Sequence, residues 1–302
     1  MSFKLQVVGN PITHSRSPEI HTAFAQQFER DLSYEKVQVE LDGFSQHADA
    51  FLRNGQGLGM NITVPFKEDA FRYADELDRF AEQAGAVNTL RRDKGRVIGY
   101  NTDGVGLVRD ITDRWQCVLN NKVVLILGAG GSTRGILRPL LIAGVKAIVI
   151  ANRTFEKAEL LVRQSASERV TAAHLPVALT VLDPIGAEGF DVVINTTSLG
   201  LQSASAHIKD NIEDNASQGI DALVDVALVK DTFCYDLSYG AQARFCQWAQ
   251  AAGARQSVDG LGMLVEQAAE SYALWFSERP LTEPVYLQLR KEIERSSGSD
   301  SE

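Results

Sequence analysis

One stretch limits the possible folds more than any other in these 302 residues: Val123 to Leu127, then Gly128-Ala129-Gly130-Gly131-Ser132-Thr133-Arg134-Gly135-Ile136. Five aliphatic residues in a row suit a strand buried on both faces, as in a parallel sheet. The glycines follow at once, and a helix is expected to start near Ser132. A strand that turns through glycine into a helix exposes the helix's unpaired N–H groups and its positive dipole end to close approach. That is the layout of a dinucleotide pyrophosphate site. The spacing departs from the commonest fingerprint: the position of the third glycine holds Thr133, and the next glycine is Gly135.

A second strand, Ala147 to Ala151, ends in Asn152-Arg153-Thr154 before a helix from Phe155 to Ser167. About two dozen residues beyond the first glycine, an NAD enzyme places an Asp or Glu on the ribose hydroxyls. No acid stands there. Arg153 and Lys157 offer cationic donors, and Asn152 and Thr154 neutral ones, which suits a ribose 2′-phosphate. The alternative is an arginine that only solvates a strand end. NADP is therefore favoured over NAD.

Upstream, three polar knots stand out: GMNITVPFKEDAF from Gly59, AGAVNTL from Ala84 and GYNTDG from Gly99. Asn61, Thr63, Asn88 and Thr102 can each direct a hydrogen bond, while Lys67 and Asp103 supply one cation and one anion for a proton transfer. Apolar Ile62, Val64, Phe66 and Val87 interleave with them, as in the wall of a pocket. Taken singly, each is ordinary turn or surface chemistry.

Length and a 44% hydrophobic content allow a large core and suggest about two domains. With 39 acids against 30 bases the net charge is −9, which argues against nucleic acid as a partner, though not against a small anionic substrate. Cys117, Cys234 and Cys246 are odd in number and lack metal spacing, so they are expected to be buried free thiols, with no disulfide and no metal site. The amino end carries no signal-peptide or membrane pattern, so a soluble cytoplasmic protein is expected. The Ser/Gly/Asp tail 295–302 is expected to be disordered.

Along the chain, strands are expected at Phe3 to Gly9, Tyr34 to Leu41, Gly57 to Val64, Ala86 to Arg92 and Arg96 to Tyr100. Helices are expected at Ser17 to Arg30, Phe44 to Asn54, Asp69 to Ala84 and Gly104 to Trp115, with a domain junction between Asp103 and Lys122. Further strands are expected at Ala178 to Leu182, Phe190 to Asn195 and Thr232 to Leu237, and helices at Phe245 to Ala252 and Leu261 to Phe276. Ile220 to Lys230 fits either element, with helix preferred. Asn195-Thr196-Thr197-Ser198 follows a strand, at the crevice end where a cofactor lies in open α/β sheets.

Read together, GNPITHSRSP (Gly9 to Pro18), NITVPFK, GAVNT, NTDG, GAGGSTRG, NRT and DGLGMLVEQA resemble the shikimate dehydrogenase family, in order over nearly the whole chain. The resemblance implies an α/β fold: an N-terminal α/β catalytic domain plus a Rossmann-type doubly wound NADP-binding domain, with a cleft between them. Residues 1–104, completed by helices at about 256–294, would bind substrate, and residues 105–255 would bind NADP. The implied activity is the NADP-dependent reduction of 3-dehydroshikimate to shikimate in the chorismate pathway, by a monomer or homodimer.

Residue by residue, Lys67 and Asp103 resemble the catalytic pair. Ser15 and Ser17 resemble the hydroxyls that bind the substrate carboxylate, and Thr63, Asn88 and Gln267 the binders of substrate hydroxyls, with Asp103 also at the substrate and Tyr239 near substrate and nicotinamide. Gly128, Ala129, Gly130, Gly131, Ser132, Asn152, Arg153, Thr154, Lys157, Leu237 and Gly260 correspond to cofactor contacts. The segment GAQARF after Tyr239 lacks the Thr-Pro of many relatives, and Lys157 stands where they often have arginine. A quinate/shikimate enzyme of relaxed specificity and a non-catalytic shikimate sensor are the alternatives.

Overall fold

A computed structural model of the chain describes residues 2–177, 181, 189–197 and 224–299. It divides into two compact units: one of residues up to Trp115 with Arg134–Pro139 and Gly262–Ser296, the other of Gln116–Thr133 and the described part of Leu140–Leu261.

The first unit runs β1 (Phe3–Gly9), α1 (Ser17–Gln27), β2 (Leu32–Gln38), α2 (Phe44–Ala48, continued by a π-helical turn Asp49–Arg53), β3 (Gly57–Ile62), α3 (Lys67–Tyr73), β4 (Glu76–Leu77), α4 (Arg79–Ala84), β5 (Thr89–Asp93), β6 (Arg96–Tyr100) and α5 (Asp103–Arg109, continued by a π-helical turn Asp110–Arg114). The strands lie in the order β2-β1-β3-β5-β6-β4. β1 is parallel to β2 and β3, and β5 and β6 form an antiparallel hairpin. Lys94 and Gly95 both take positive φ at its turn, the twist that a two-residue hairpin needs. Met60, Ile62, Phe66, Val87, Leu90 and Val97 fill the core beneath the polar knots.

The single helix expected over Asp69 to Ala84 is instead two helices with β4 between them. Two carboxylates break it. Asp78 accepts from Ala81 N at 2.8 Å and caps α4. Asp75 accepts from Val97 N at 2.7 Å, is held by Arg53, and so ties the break to the sheet edge. Short acidic side chains of this kind compete with helical backbone hydrogen bonds.

In the second unit come β7 (Val123–Leu127), α6 (Gly131–Ile142), β8 (Ala147–Asn152), α7 (Phe155–Ser165), β9 (Val170–His174), β10 (Val192–Asn195), β11 (Phe233–Asp236), α8 (Arg244–Ala251) and β12 (Gln256–Asp259). The order β12-β11-β10-β7-β8-β9 is parallel throughout. Counted within this unit it is 6-5-4-1-2-3, the doubly wound arrangement, and the winding reverses between β7 and β10. Both of those strands are fully buried, as the aliphatic run requires.

The edge strands β9 and β12 were not anticipated, because each is short and half polar, without the aliphatic run of a central strand. Within Ile220 to Lys230 the described residues form no α-helix. Val224 bridges to Val177, and Asp225 caps a single 3₁₀ turn, Val226–Leu228. Residues 220–223 and nearly all of the strand expected at 178–182 lie outside the described residues.

Helix α9 (Leu261–Phe276) is followed by α10 (Glu283–Ser299). The backbone of α10 continues past Arg295 into the tail expected to be disordered, since extending a formed helix is far easier than starting one; residues 300–302 lie outside the described residues. All three cysteines are free, but only Cys234 is buried, with Cys117 and Cys246 half-buried. No described helix is long and apolar enough to cross a membrane.

Candidate active site

Lys67 is the first residue of α3, directly after the fully buried Phe66, and its carbonyl accepts from Val87 N at 2.9 Å. Asp103 is the first residue of α5, its backbone N–H donating to Asn101 Oδ1 at 3.2 Å. These two helix starts bring Lys67 Nζ to 2.5 Å from Asp103 Oδ2. The lysine side chain is 31% exposed and the aspartate 14%, so the pair is sheltered yet reachable.

Asn88 holds the other carboxylate oxygen, donating to Asp103 Oδ1 at 2.8 Å and to Thr102 Oγ1 at 2.9 Å. Its own carbonyl oxygen accepts from Thr102 N at 3.0 Å, which fixes the orientation of the amide. Asn88 and Thr102 are both buried, anchored by Asn88 N to Tyr100 O at 3.0 Å and Ile62 N to Asn88 O at 2.8 Å. Gln267 reaches the same cluster from α9: its Oε1 lies 3.4 Å from Thr102 Oγ1 and from Asn88 Nδ2, and its Nε2 donates to Leu264 O at 2.8 Å.

Ser15 and Ser17 meet at the start of α1, their hydroxyls 3.2 Å apart. Ser17 also hydrogen-bonds Tyr34, whose hydroxyl is held well above the usual tyrosine range by complete burial, opposed only in part by that bond. Tyr34 in turn donates to Asn61 Oδ1 at 2.6 Å. Thr63, half-buried just past β3, sets its methyl against Gly9, where a Cβ would come within 2.5 Å of it. Lys67, Asp103, Asn88, Thr102 and Gln267 are thus joined in one hydrogen-bonded cluster, with Ser15, Ser17 and Asn61 in a connected chain. Thr63 makes no hydrogen bond to either group through its side chain.

In the second unit, Gly128 has φ +106° and its N–H donates to Ala151 O at 2.8 Å. Thr196, just past β10, donates to Leu127 O at 2.8 Å and lies 2.8 Å from Thr133 Oγ1, so the glycine turn is pinned where the winding reverses. Ser198 lies outside the described residues. Among the described residues, a Cβ on Gly130 or Gly131 would meet nothing within 4 Å beyond the adjoining chain. Packing therefore does not demand glycine at either position.

At the end of β8, Asn152 Nδ2 donates to Thr154 O at 2.8 Å, while Arg153, Thr154 and Lys157 are exposed. Among the described residues the side chains of Arg153 and Lys157 have no hydrogen-bond or ion-pair partner. Leu237 and Gly260 come together, because a Cβ on Gly260 would run into Leu237 O. Tyr239 is half-buried beside them, ahead of the 3₁₀ turn Gly240–Gln242. Behind these loops Asn195 Nδ2 donates to Asp236 Oδ1 at 3.2 Å, and burial raises the Asp236 carboxyl to about 6.

Tyr34, Thr89 and Ser271 were not anticipated at the site. Thr89 is part of the GAVNT motif, and Ser271 lies four residues beyond Gln267 on the same helix face, signals that could have drawn attention to them without fixing a role. Among the described residues no group of His, Cys, Asp and Glu side chains is placed to hold a metal ion.

Three family models match the chain in order: a shikimate dehydrogenase substrate binding domain over residues 7–90, a shikimate / quinate 5-dehydrogenase over 109–232, and a shikimate 5'-dehydrogenase C-terminal domain over 260–290. A shikimate dehydrogenase (NADP(+)) of Alkalilimnicola ehrlichii is 45% identical over 294 residues, covering 97% of this chain and 100% of that protein. Its counterpart in Hahella chejuensis is 44% identical over 94% of this chain and 97% of its own. Among solved structures, an Ael1 enzyme from Pseudomonas putida aligns with a TM-score of 0.81 at 37% identity, covering 95% of this chain and 98% of that one. A shikimate 5-dehydrogenase from Thermus thermophilus, in complex with NADP(H) and shikimate, aligns with a TM-score of 0.77 at 27% identity, covering 96% and 99%.

Proposed function

This chain belongs to the shikimate dehydrogenase family, and we propose that it catalyses the reversible, NADP-dependent reduction of 3-dehydroshikimate to shikimate with Lys67 and Asp103 as its proton-handling pair. The observation that carries the assignment is the 2.5 Å contact between Lys67 Nζ and Asp103 Oδ2, with Asn88 on the remaining carboxylate oxygen.

Reducing a ring ketone adds a hydride to the carbonyl carbon and a proton to its oxygen. Bound NADPH supplies the hydride. Lys67, protonated and half-sheltered, polarises the ketone oxygen and gives up the proton as negative charge develops there; in the reverse direction it takes the proton back. A positioned acid of this kind contributes about 10²–10⁴-fold. Asp103 holds Lys67 and the reacting oxygen in register, and Asn88 keeps the carboxylate from rotating.

Around this centre, Ser15 and Ser17 offer two hydroxyls to the substrate carboxylate. Thr63, Asn88 and Gln267 face the ring hydroxyls; Gln267 keeps one amide N–H beyond the one given to Leu264 O. Tyr239 corresponds to a tyrosine near substrate and nicotinamide in the family.

The residues suit NADP. Gly130 and Gly131, which packing leaves open, let the diphosphate approach the backbone from Gly128 to Ser132 and the first turn of α6. Asn152, Arg153, Thr154 and Lys157 would hold the 2′-phosphate, the two cations being without a partner among the described residues, and Leu237 and Gly260 would contact the cofactor. In this reading the first unit, residues up to Trp115 with Gly262–Ser296, binds substrate and the second binds the cofactor, which moves the boundaries expected at 104 and 256 because Gln256–Asp259 is a strand of the second sheet.

The test is the absorbance of reduced nicotinamide, with shikimate or quinate offered against NADP or NAD. Shikimate with NADP should give the highest kcat/KM. Lys67→Ala should lower kcat by about 10²–10⁴-fold and change the shikimate KM only a few-fold. Parental turnover in that variant refutes the assignment of Lys67.

A further inference from the structure

Beneath the cluster that carries Lys67 and Asp103 lies a second, fully internal set of polar side chains: Asn61, Thr89 and Ser271, each 6% exposed or less. Asn61 Nδ2 donates to Thr89 Oγ1 and to Ser271 Oγ, both at 3.1 Å, and lies 3.3 Å from Asn88 O. The Ser271 hydroxyl is 2.7 Å from Thr89 Oγ1, 3.3 Å from Thr102 Oγ1 and 3.0 Å from the backbone oxygen of Gln267. One hydroxyl, that of Ser271, therefore touches the side chains of Asn61, Thr89 and Thr102 and the backbone of Gln267.

The orientation of both amides is forced, and Ser271 donating to Thr89, with Thr89 donating to Asn88, completes the network. The carbonyl of Asn88 can only accept, so the Asn61 group facing it must be the NH₂. Asn61 Oδ1 then faces Tyr34, whose hydroxyl donates to it at 2.6 Å. Thr89 Oγ1 lies 3.0 Å from Asn88 Oδ1, which already accepts from Thr102 N, so the Asn88 NH₂ points at Asp103. A continuous hydrogen-bonded path thus runs from Tyr34 through Asn61, Ser271 and Thr89 to Asn88, and ends on the carboxylate paired with Lys67.

We propose that Ser271 is a positioning residue for the reaction: by tying the side chains of Asn61, Thr89 and Thr102 to one hydroxyl, it holds the Asn88 amide, and through it the Asp103 carboxylate, in the orientation that serves Lys67. Ser271 touches neither Lys67 nor Asp103. Removing its oxygen takes one partner each from the buried Asn61, Thr89 and Thr102, and buried polar groups rearrange to find another. The freedom gained passes through Thr89 and Thr102 to Asn88. The inference rests on the proton-handling role assigned to Lys67 and Asp103.

Ser271→Ala and Tyr34→Phe, each of which deletes one oxygen, test it in the full-length enzyme. Both should fold and keep the parental KM for NADP, since neither residue is near the glycine turn in sequence or in hydrogen bonding. Both should lower kcat about 5- to 20-fold, Ser271→Ala the more, and displace the limb of the kcat–pH profile that reports the Lys67 and Asp103 pair. Tyr34→Phe keeps its ring and packing, and so remains informative if Ser271→Ala does not fold. Parental kcat and an undisplaced pH profile in the folded variants, even with a lowered melting temperature, would overturn the proposal by reducing the path to a structural one. Lys67→Ala run alongside separates the two readings: if it is inactive while Ser271→Ala and Tyr34→Phe are fully active, only the positioning role falls.

Discussion

The ring of His21 lies parallel to that of Tyr34, with centroids 4.6 Å apart and planes within 8°. Phe24, Tyr272 and Trp275 complete the surround, and among the described residues Asn61 is the polar side chain that acts on the His21 ring, without meeting either nitrogen in full hydrogen-bond geometry. Burial, opposed in part by Asn61, lowers the histidine pKa to about 3. The imidazole is therefore neutral in the fold and wedged under the same asparagine that Tyr34 orients.

That burial makes His21 acid-sensitive. The unfolded chain takes up a proton near the ordinary histidine value of 6.5, while the folded chain does not until about 3. Its contribution to stability is complete above 6.5 and is lost as pH falls from there, by about 2 kcal/mol at pH 5. His21→Phe should flatten urea-unfolding stability between pH 7 and pH 5. An unchanged slope would show that another group sets it.

Asp236 pulls the other way. Its folded carboxyl titrates near 6 against an ordinary 3.8, so the folded state holds the extra proton, and stability declines as pH rises from about 4 to about 6. Asp236→Asn keeps an oxygen for Asn195 Nδ2 and Ser238 N and removes the buried charge. The variant should match its parent at pH 4 and exceed it by about 2–3 kcal/mol at pH 7.5, measured by the same unfolding series. Equal stability at both pH values would show that the carboxyl is not strained by burial.

Cofactor choice should rest on the unspent cations at the end of β8. Arg153→Ala removes a charge-assisted contact worth about 1.5–3 kcal/mol, so the KM for NADP should rise roughly 10- to 100-fold while that for NAD changes little. Steady-state kinetics with both cofactors decide it; a parallel rise for the two would place Arg153 away from the 2′-phosphate.

Gly128 faces a stricter constraint than its neighbours. At φ +106°, with Thr196 Oγ1 only 2.6 Å from a would-be Cβ, Gly128→Ala combines backbone strain with a clash. It should cost about 1–3 kcal/mol of stability and at least 10-fold in NADP affinity, as read by thermal melting and a nucleotide titration. Gly130→Ala should leave the melting temperature unchanged and affect only the nucleotide. Equal melting losses in both variants would contradict this contrast.

What could be read before the structure depended on how local each signal was. The aliphatic run into Gly128 announced the central strand and its turn, because a strand buried on both faces leaves an unbroken apolar record. The edge strands Val170–His174 and Gln256–Asp259 leave none, since one face or one edge meets solvent. The break between Tyr73 and Arg79 was missed because its cause, Asp75 on Val97 N, is a contact across 22 residues. Likewise, Asn61 and Gln267 were legible as single polar residues, whereas Ser271 acquires meaning only when α9 is laid against β3 and β5.

The break at Asp75 also bears on how copies of this chain treat one another. β6 would otherwise present a row of free N–H and C=O groups at the rim of the first sheet, a template for a strand from another molecule. The two residues of β4 cover part of that row, Asp75 N donates to Val97 O at 2.8 Å, and the Asp75 carboxylate occupies Val97 N. A docking strand would find little left to pair with and would meet the Arg53 and Asp75 charges as well. The interruption that spoils a helix thus shields the sheet against intermolecular growth.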